Sequence, residues 1–210
     1  MANLPAMRFP WDESRQAFAD AASEFVRTAA LVGDRWQEPG LGEWDVRALV
    51  GHTSRSLLTV EEYLARPAAT VEVASAAAYY AATSAMAAGP GVAARGVAAG
   101  QALGDHPATA VAGIAARVLP LVERSDGSDL LTTLAGGMRL DDYLPTRTFE
   151  LAVHTCDLAT ALGLPLEVPA TAAAQALRLV SELAVSSGQA GPLLLAATGR
   201  PVLPPGYSVL

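Results

Sequence analysis

Glu150 and His154 are four residues apart in a stretch whose sequence predicts a helix. Residues at this spacing share one helix face, with their Cβ atoms roughly 5–6 Å apart. A carboxylate and an imidazole held in this way can both bind one metal ion. The alternative interpretation is a solvated Glu–His pair on a helix surface, which involves no metal.

A metal site of this kind needs a third protein ligand, and the chain contains only three His residues. His52 follows Leu49 by three residues, at the edge of the apolar stripe of another predicted helix, so we expect it to point into or beside the interior. His106 lies in a loop before a helix, where we expect it to be exposed rather than a ligand. With His52 the site is His, Glu, His with one position open, which is typical of a catalytic metal.

The donor set suits Zn²⁺, and also Ni²⁺, Fe²⁺ or Co²⁺. His52 lies on one predicted helix and the Glu150/His154 pair on another, and two packed helices can bring all three side chains to one ion. The open position could hold water or a thiol. A bound zinc ion would deprotonate that thiol near neutral pH. Beyond this metal-bound thiolate, the sequence identifies no catalytic residue.

Two charged residues flank the pair on the same predicted helix. Asp157 follows His154 by three residues and either orients the imidazole or is a surface Asp. Arg147 precedes Glu150 by three residues and could hold a substrate carboxylate, or pair with Glu150 or Asp157. Cys156 lies about 200° round the helix from His154, so we interpret it as a small apolar residue and not as a ligand.

The elements that must position these residues are helices. Ala makes up roughly a fifth of the chain, and it has the highest helix propensity of all residues. Apolar residues recur at three- and four-residue steps between Gly and Pro interruptions. We predict helices over residues 12–32, from the cap Asp45 to Pro67, and over 71–88, 107–123, 141–162 and 169–187. We predict a weaker helix that ends at residue 104. The remaining segments are predicted to be a loop over 125–138 and an irregular C-terminal strap over 193–210.

Helices with short connections and apolar stripes predict an all-α bundle. At 210 residues the chain has room for about one domain. We therefore predict a single domain over 1–210, with the metal-binding bundle over about 12–163 and a C-terminal helix and strap over 164–210. Trp11 and Trp36 are interpreted as core or lid aromatics.

Composition excludes several classes of function. The net charge is −7 and the 14 basic residues, all of them Arg, form no cluster, so we expect no nucleic-acid partner. Residues 1–10 lack the apolar run of a signal peptide, and no segment is apolar enough to span a membrane. The single Cys156 fits a reducing compartment. We therefore expect a cytoplasmic protein, as a monomer or homodimer.

Two segments carry motifs that can be compared with a known family. Residues 44–52 read WDVRALVGH and match the pattern W-x-V-x-x-L-x-x-H, and residues 147–157 match R-x-x-E-x-x-x-H-x-x-D. In both, the chain resembles the mycothiol-dependent maleylpyruvate isomerase family of the DinB-like superfamily. Residues 137–140 and the tail 198–210 are also similar to segments of this family.

This resemblance implies a DinB-like four-helix bundle with extra short helices, and a divalent metal, usually zinc, on His52, Glu150 and His154. It also implies mycothiol, the low-molecular-weight thiol of actinobacteria, as a co-substrate that the metal would activate. Members that isomerise maleylpyruvate carry a further C-terminal α/β domain, whereas residues 163–210 are all that follow Leu162 here. The resemblance therefore implies the metal site without implying maleylpyruvate as the substrate.

Three hypotheses of function remain open at this point. The first is a metal-dependent thiol transferase or isomerase that acts on a small electrophile, such as an activated alkene, an epoxide or a halide. The second is a non-catalytic metal-binding or ligand-sensing module with the same fold. The third is a purely structural helical protein whose His and Glu residues are incidental.

Overall fold

The computed structural model describes residues 8–87, 91–200 and 203–210. Within these ranges it has eight α-helices, two antiparallel hairpins and one short 3₁₀ turn, and no described helix is long and apolar enough to cross a bilayer. The helices are α1 (Trp11–Ala30), α2 (Val46–Leu64), α3 (Ala76–Ala87), α4 (Gly91–Ala102), α5 (Pro107–Arg124), α6 (Leu140–Ala161), α7 (Ala170–Ser186) and α8 (Ala190–Ala197). The hairpins are β1 (Pro39–Leu41) with β2 (Trp44–Asp45), and β3 (Leu130–Thr133) with β4 (Gly136–Arg139).

Four helices form a closed bundle, in which α1 packs against α6, α6 against α2, α2 against α5, and α5 against α1. The remaining long helices lie outside this ring: α4 packs on α2, α7 on α1 and α6, and α3 on α6. The predicted all-α four-helix bundle is confirmed. Fully buried side chains of the bundle include Phe18, Phe25, Leu49, Leu57, Tyr143, Leu144, Leu151 and Leu158.

Local capping explains where two helices begin. The Asp45 carboxylate accepts a hydrogen bond of 2.7 Å from the Ala48 N–H, which caps α2 as the sequence predicts. Helix α3 begins five residues later than the predicted residue 71, since the Ser75 hydroxyl accepts a hydrogen bond from the Ala78 N–H at 3.1 Å and caps it there.

The predicted loop over residues 125–138 is wrong in its second half, where β3 and β4 form a hairpin. Gly136 begins β4 directly after the turn and has a φ of 117°, which L residues rarely adopt. A Cβ on Gly137 would collide with the carbonyl oxygen of Thr70, and the Gly137 carbonyl accepts a 2.7 Å hydrogen bond from the Glu72 N–H. The two consecutive glycines therefore allow the hairpin to pack closely against the segment before α3.

The predicted C-terminal strap is wrong in its first part, which belongs to α8. This helix tolerates Pro192 because the proline lies in the first turn, where the helix needs no N–H group. Residues 203–210 are irregular, as predicted. Among them Val209 packs against an apolar cluster that includes Phe149 of α6.

Helix α4 lies unusually close to α2 because glycines form the contact. A Cβ on Gly51 would lie 2.5 Å from the carbonyl carbon of Ala99, and a Cβ on Gly100 would lie 2.7 Å from the carbonyl oxygen of Arg47. Such an approach of two backbones is possible only without side chains. Gly100 of α4 and Gly51 of α2 thus allow α4 to pack directly against the helix that carries His52.

Candidate metal centre

The three residues that the sequence proposes as metal ligands lie together in the structure. His52 of α2 and Glu150 and His154 of α6 each offer one ligand atom, and these atoms lie within 4.8 Å of one another. Each of the three side chains is partly accessible to solvent. Within the described part of the chain, no other three His, Cys, Asp or Glu residues bring their ligand atoms this close together.

The pair on α6 has the geometry that its four-residue spacing predicts. Nε2 of His154 lies 3.2 Å from Oε2 of Glu150, and Nδ1 of His154 lies 2.9 Å from Oδ2 of Asp157. Carboxylates often hold the second nitrogen of a metal-binding imidazole in this way. Nε2 and Oε2 are therefore the two atoms of this pair that a shared ion would contact.

A tyrosine that the sequence analysis missed completes this side of the site. The hydroxyl of Tyr80, on α3, lies 2.7 Å from Oε1 of Glu150 and 3.2 Å from the carbonyl oxygen of Thr146. Burial, together with the charge of Glu150, raises the pKa of Tyr80 well above its ordinary value, so the hydroxyl keeps its proton and donates. No sequence signal identifies Tyr80, because it reaches Glu150 from a different helix.

His52 approaches the pair from α2. Its ring centroid lies 4.9 Å from that of His154 on one side and 4.5 Å from that of Trp44 on the other. The Trp44 indole is held by a 3.0 Å hydrogen bond to the carbonyl oxygen of Ala93. Nδ1 of His52 is buried and has no hydrogen-bond partner among the described residues. A buried polar atom without a partner is costly, and a metal ion bound at that nitrogen would remove the cost.

The charge states of the three residues also fit a divalent ion. Burial, and then the charge of His154, lowers the pKa of His52 to about 4, so this imidazole has a lone pair to donate at pH 7. Burial favours the neutral form of Glu150, but the His154 hydrogen bond and the Arg147 charge outweigh it and lower its pKa to about 2. Burial also opposes the charge of His154, but hydrogen bonds to Asp157 and Glu150 raise its pKa to about 9. His154 must therefore lose a proton when a metal binds.

Arg147 lies one helical turn from Glu150 and is buried, with 9% of its surface exposed. Its guanidinium carbon lies 5.0 Å from the ring centroid of Tyr143 and 5.4 Å from that of Tyr79. Its Nε donates to the hydroxyl of Thr146 at 2.9 Å. Among the described residues, no carboxylate oxygen lies within 4.0 Å of the guanidinium.

The other residues considered in the sequence lie outside the cluster. His106 is exposed at the N-terminus of α5, as expected. Cys156 is half-buried, and burial followed by the charge of Asp157 raises the pKa of its thiol. Trp11 and Trp36 are partly buried and pack against the main hydrophobic core, which agrees with their interpretation as core aromatics.

Comparison with known protein families shows to which family the chain belongs. A family model described as the mycothiol maleylpyruvate isomerase N-terminal domain matches residues 15–159, which is 145 of 210 residues and includes all three candidate ligands. No curated protein and no solved structure matches the chain significantly. The chain therefore belongs to the mycothiol maleylpyruvate isomerase N-terminal domain family, within the DinB-like superfamily.

Proposed function

We propose that this protein is a divalent-metal enzyme that activates a low-molecular-weight thiol for reaction with a small electrophilic metabolite. The observation that carries the proposal is the convergence of His52, Glu150 and His154, all partly accessible, on one point. Membership of the family supports mycothiol as the thiol, and the donor set supports Zn²⁺ as the ion. The reaction would be a thiol transfer or an isomerisation in the cytosol.

Each residue of the site has a role in this proposal. His52, Glu150 and His154 would hold the ion and leave one position for the thiol. A bound Zn²⁺ lowers the pKa of a thiol in that position enough for deprotonation near neutral pH. Asp157 holds Nδ1 of His154 and so keeps Nε2 directed at the ion.

The sulfur nucleophile must come from outside the chain. Cys156 is the only cysteine in the sequence. It is half-buried, and burial raises the pKa of its thiol, which disfavours the reactive thiolate. A small thiol delivered to the open metal position supplies what Cys156 does not.

Arg147 is our candidate for binding a carboxylate of the electrophile. A guanidinium binds a carboxylate through two parallel hydrogen bonds from its nitrogens. Only the Nε of Arg147 has a hydrogen-bond partner among the described residues, and the flanking rings of Tyr79 and Tyr143 hold the group in one orientation. Its terminal nitrogens are thus available one turn of α6 from the metal ligands.

The direct test combines Zn²⁺-loaded protein, mycothiol and a panel of activated alkenes, epoxides and alkyl halides. Calorimetry measures mycothiol binding, and mass spectrometry detects conjugates or isomers. We expect wild-type protein to bind mycothiol and to turn over at least one electrophile, and His52→Ala to do neither. Metal-replete wild-type protein without affinity for mycothiol would refute the thiol part of the proposal. Tight metal binding without any thiol-dependent reaction would select the non-catalytic metal-binding module instead.

A further inference from the structure

The two carboxylate oxygens of Glu150 have different neighbours. Oε1 accepts the 2.7 Å hydrogen bond from the Tyr80 hydroxyl, whereas Oε2 lies 3.2 Å from Nε2 of His154. A carboxylate can bind a metal ion through one oxygen or through both. A hydrogen bond that holds Oε1 favours binding through Oε2 alone.

We infer that Tyr80 is a positioning residue that makes Glu150 a one-oxygen ligand and so keeps the fourth metal position open. Three protein atoms then occupy three positions of a tetrahedral ion, and one remains for an incoming molecule. If Glu150 bound through both oxygens, the carboxylate itself would occupy that position. The use of the position by a thiol rests on the proposed function, but the mode of binding by Glu150 does not.

The surroundings of Tyr80 suit a fixed donor. Its ring packs edge to face against Phe149, with 5.6 Å between centroids, and against Tyr79, with 5.8 Å between centroids. Its hydroxyl is also 3.2 Å from the carbonyl oxygen of Thr146, one turn before Glu150 on α6. These contacts fix the hydroxyl against one particular oxygen of the carboxylate, and an outer partner that fixes a ligand in this way raises metal affinity.

The test replaces Tyr80 with Phe, which removes the hydroxyl and keeps the ring that packs on Phe149. We expect the affinity for Co²⁺ to fall about 10-fold to 100-fold. The visible absorption of the Co²⁺ protein should also change, because the second oxygen of Glu150 then replaces the solvent molecule in the fourth position. Tyr207→Phe is the matched control, because its hydroxyl donates at 3.0 Å to the backbone carbonyl of Gln189 and not to a metal ligand. That control should leave both the affinity and the spectrum unchanged.

Unchanged Co²⁺ affinity and absorption in Tyr80→Phe would overturn the inference. Should that variant fail to fold, a crystal structure of the Zn²⁺-loaded wild-type protein decides. Glu150 bound through Oε2 alone, with Oε1 on the Tyr80 hydroxyl, supports the inference, and both oxygens on the zinc overturn it. Wild-type protein that binds metal but not mycothiol would refute the proposed function and leave the spectroscopic comparison valid, so the two failures are distinguishable.

Discussion

Replacing Gly51 with Ala should disturb the candidate metal site without altering a candidate ligand. Gly51 precedes His52 on α2 and faces the backbone of α4. A Cβ at this position would lie 2.5 Å from the carbonyl carbon of Ala99, whereas ordinary van der Waals contact begins at 3.4 Å. The overlap with the backbone nitrogen of Gly100 is larger still, so the two helices must separate locally by more than about 0.9 Å, because a backbone cannot rotate away as a flexible side chain does.

The cost follows from this overlap. Overpacking of a rigid contact lowers the free energy of unfolding by about 1–3 kcal/mol, and we expect the upper part of that range for a clash with backbone. In a chain of this size each kcal/mol lowers the melting temperature by about 2–4 °C. Metal affinity should fall as well. The reason is that Trp44, whose ring lies against that of His52, also packs on α4. A Cβ on Gly96 of α4 would lie 2.5 Å from the indole nitrogen of Trp44, so a shift of α4 also disturbs the contact with His52.

Gly113→Ala is the matched control for this experiment. Gly113 lies on α5, is exposed, and a Cβ there meets nothing within 4 Å. The variant should gain roughly 0.5–1 kcal/mol, because Ala is a better helix former than Gly. Urea denaturation measures both stabilities, and Co²⁺ titration measures both metal affinities. Equal stability of the two variants, or a Gly51→Ala protein as stable as wild type, would refute the close α2–α4 contact.

Three further predictions concern individual charged groups. Because the pKa of His154 is about 9, each ion bound at pH 7 should release about one proton, and lowering the pH from 8 to 6 should weaken metal affinity about tenfold per unit; a pH-independent affinity would contradict this. Burial, and then Asp141, raises the pKa of Asp142 to about 6, so ionising it costs stability as the pH rises through that value. The stability gained in Asp142→Asn should therefore grow by about 2 kcal/mol between pH 4 and pH 8, measured by urea denaturation; an equal gain at both pH values would contradict this. Arg147→Met should raise KM about 10-fold or more for electrophiles that carry a carboxylate, through loss of a charge-assisted bond, and leave KM for neutral electrophiles unchanged; equal effects on both would remove its proposed role.

The long helices are predictable because their signals are local. Helices α1, α5, α6 and α7 begin and end within two residues of the bounds that periodicity and Pro or Gly positions predict. The β3–β4 hairpin and the glycine contact of α4 are not predictable in this way. Gly137 and Gly51 are required by chain segments far away in the sequence, so that their neighbours appear only in the folded protein.

The candidate site is also predictable only where its sequence signals are local. The spacing of Glu150 and His154 predicts their shared helix face. The position of His52 at the edge of an apolar stripe, and then the family motif, indicate the third residue. Tyr80 and Trp44 complete the site through contacts that join different helices and hairpins, and no short-range pattern reports them. The burial of Arg147 between tyrosine rings is likewise a property of the packed helices.

The most direct test of the metal site is the metal content of the purified protein after equilibration with Zn²⁺ and removal of unbound ions. Inductively coupled plasma mass spectrometry gives the ratio of zinc to chain. The three converging candidate ligands predict about one ion per chain in wild-type protein, loss of that ion in His52→Ala, and its retention in His106→Ala, which alters an exposed histidine. Wild-type protein without zinc, or equal zinc in wild type and His52→Ala, would contradict the site.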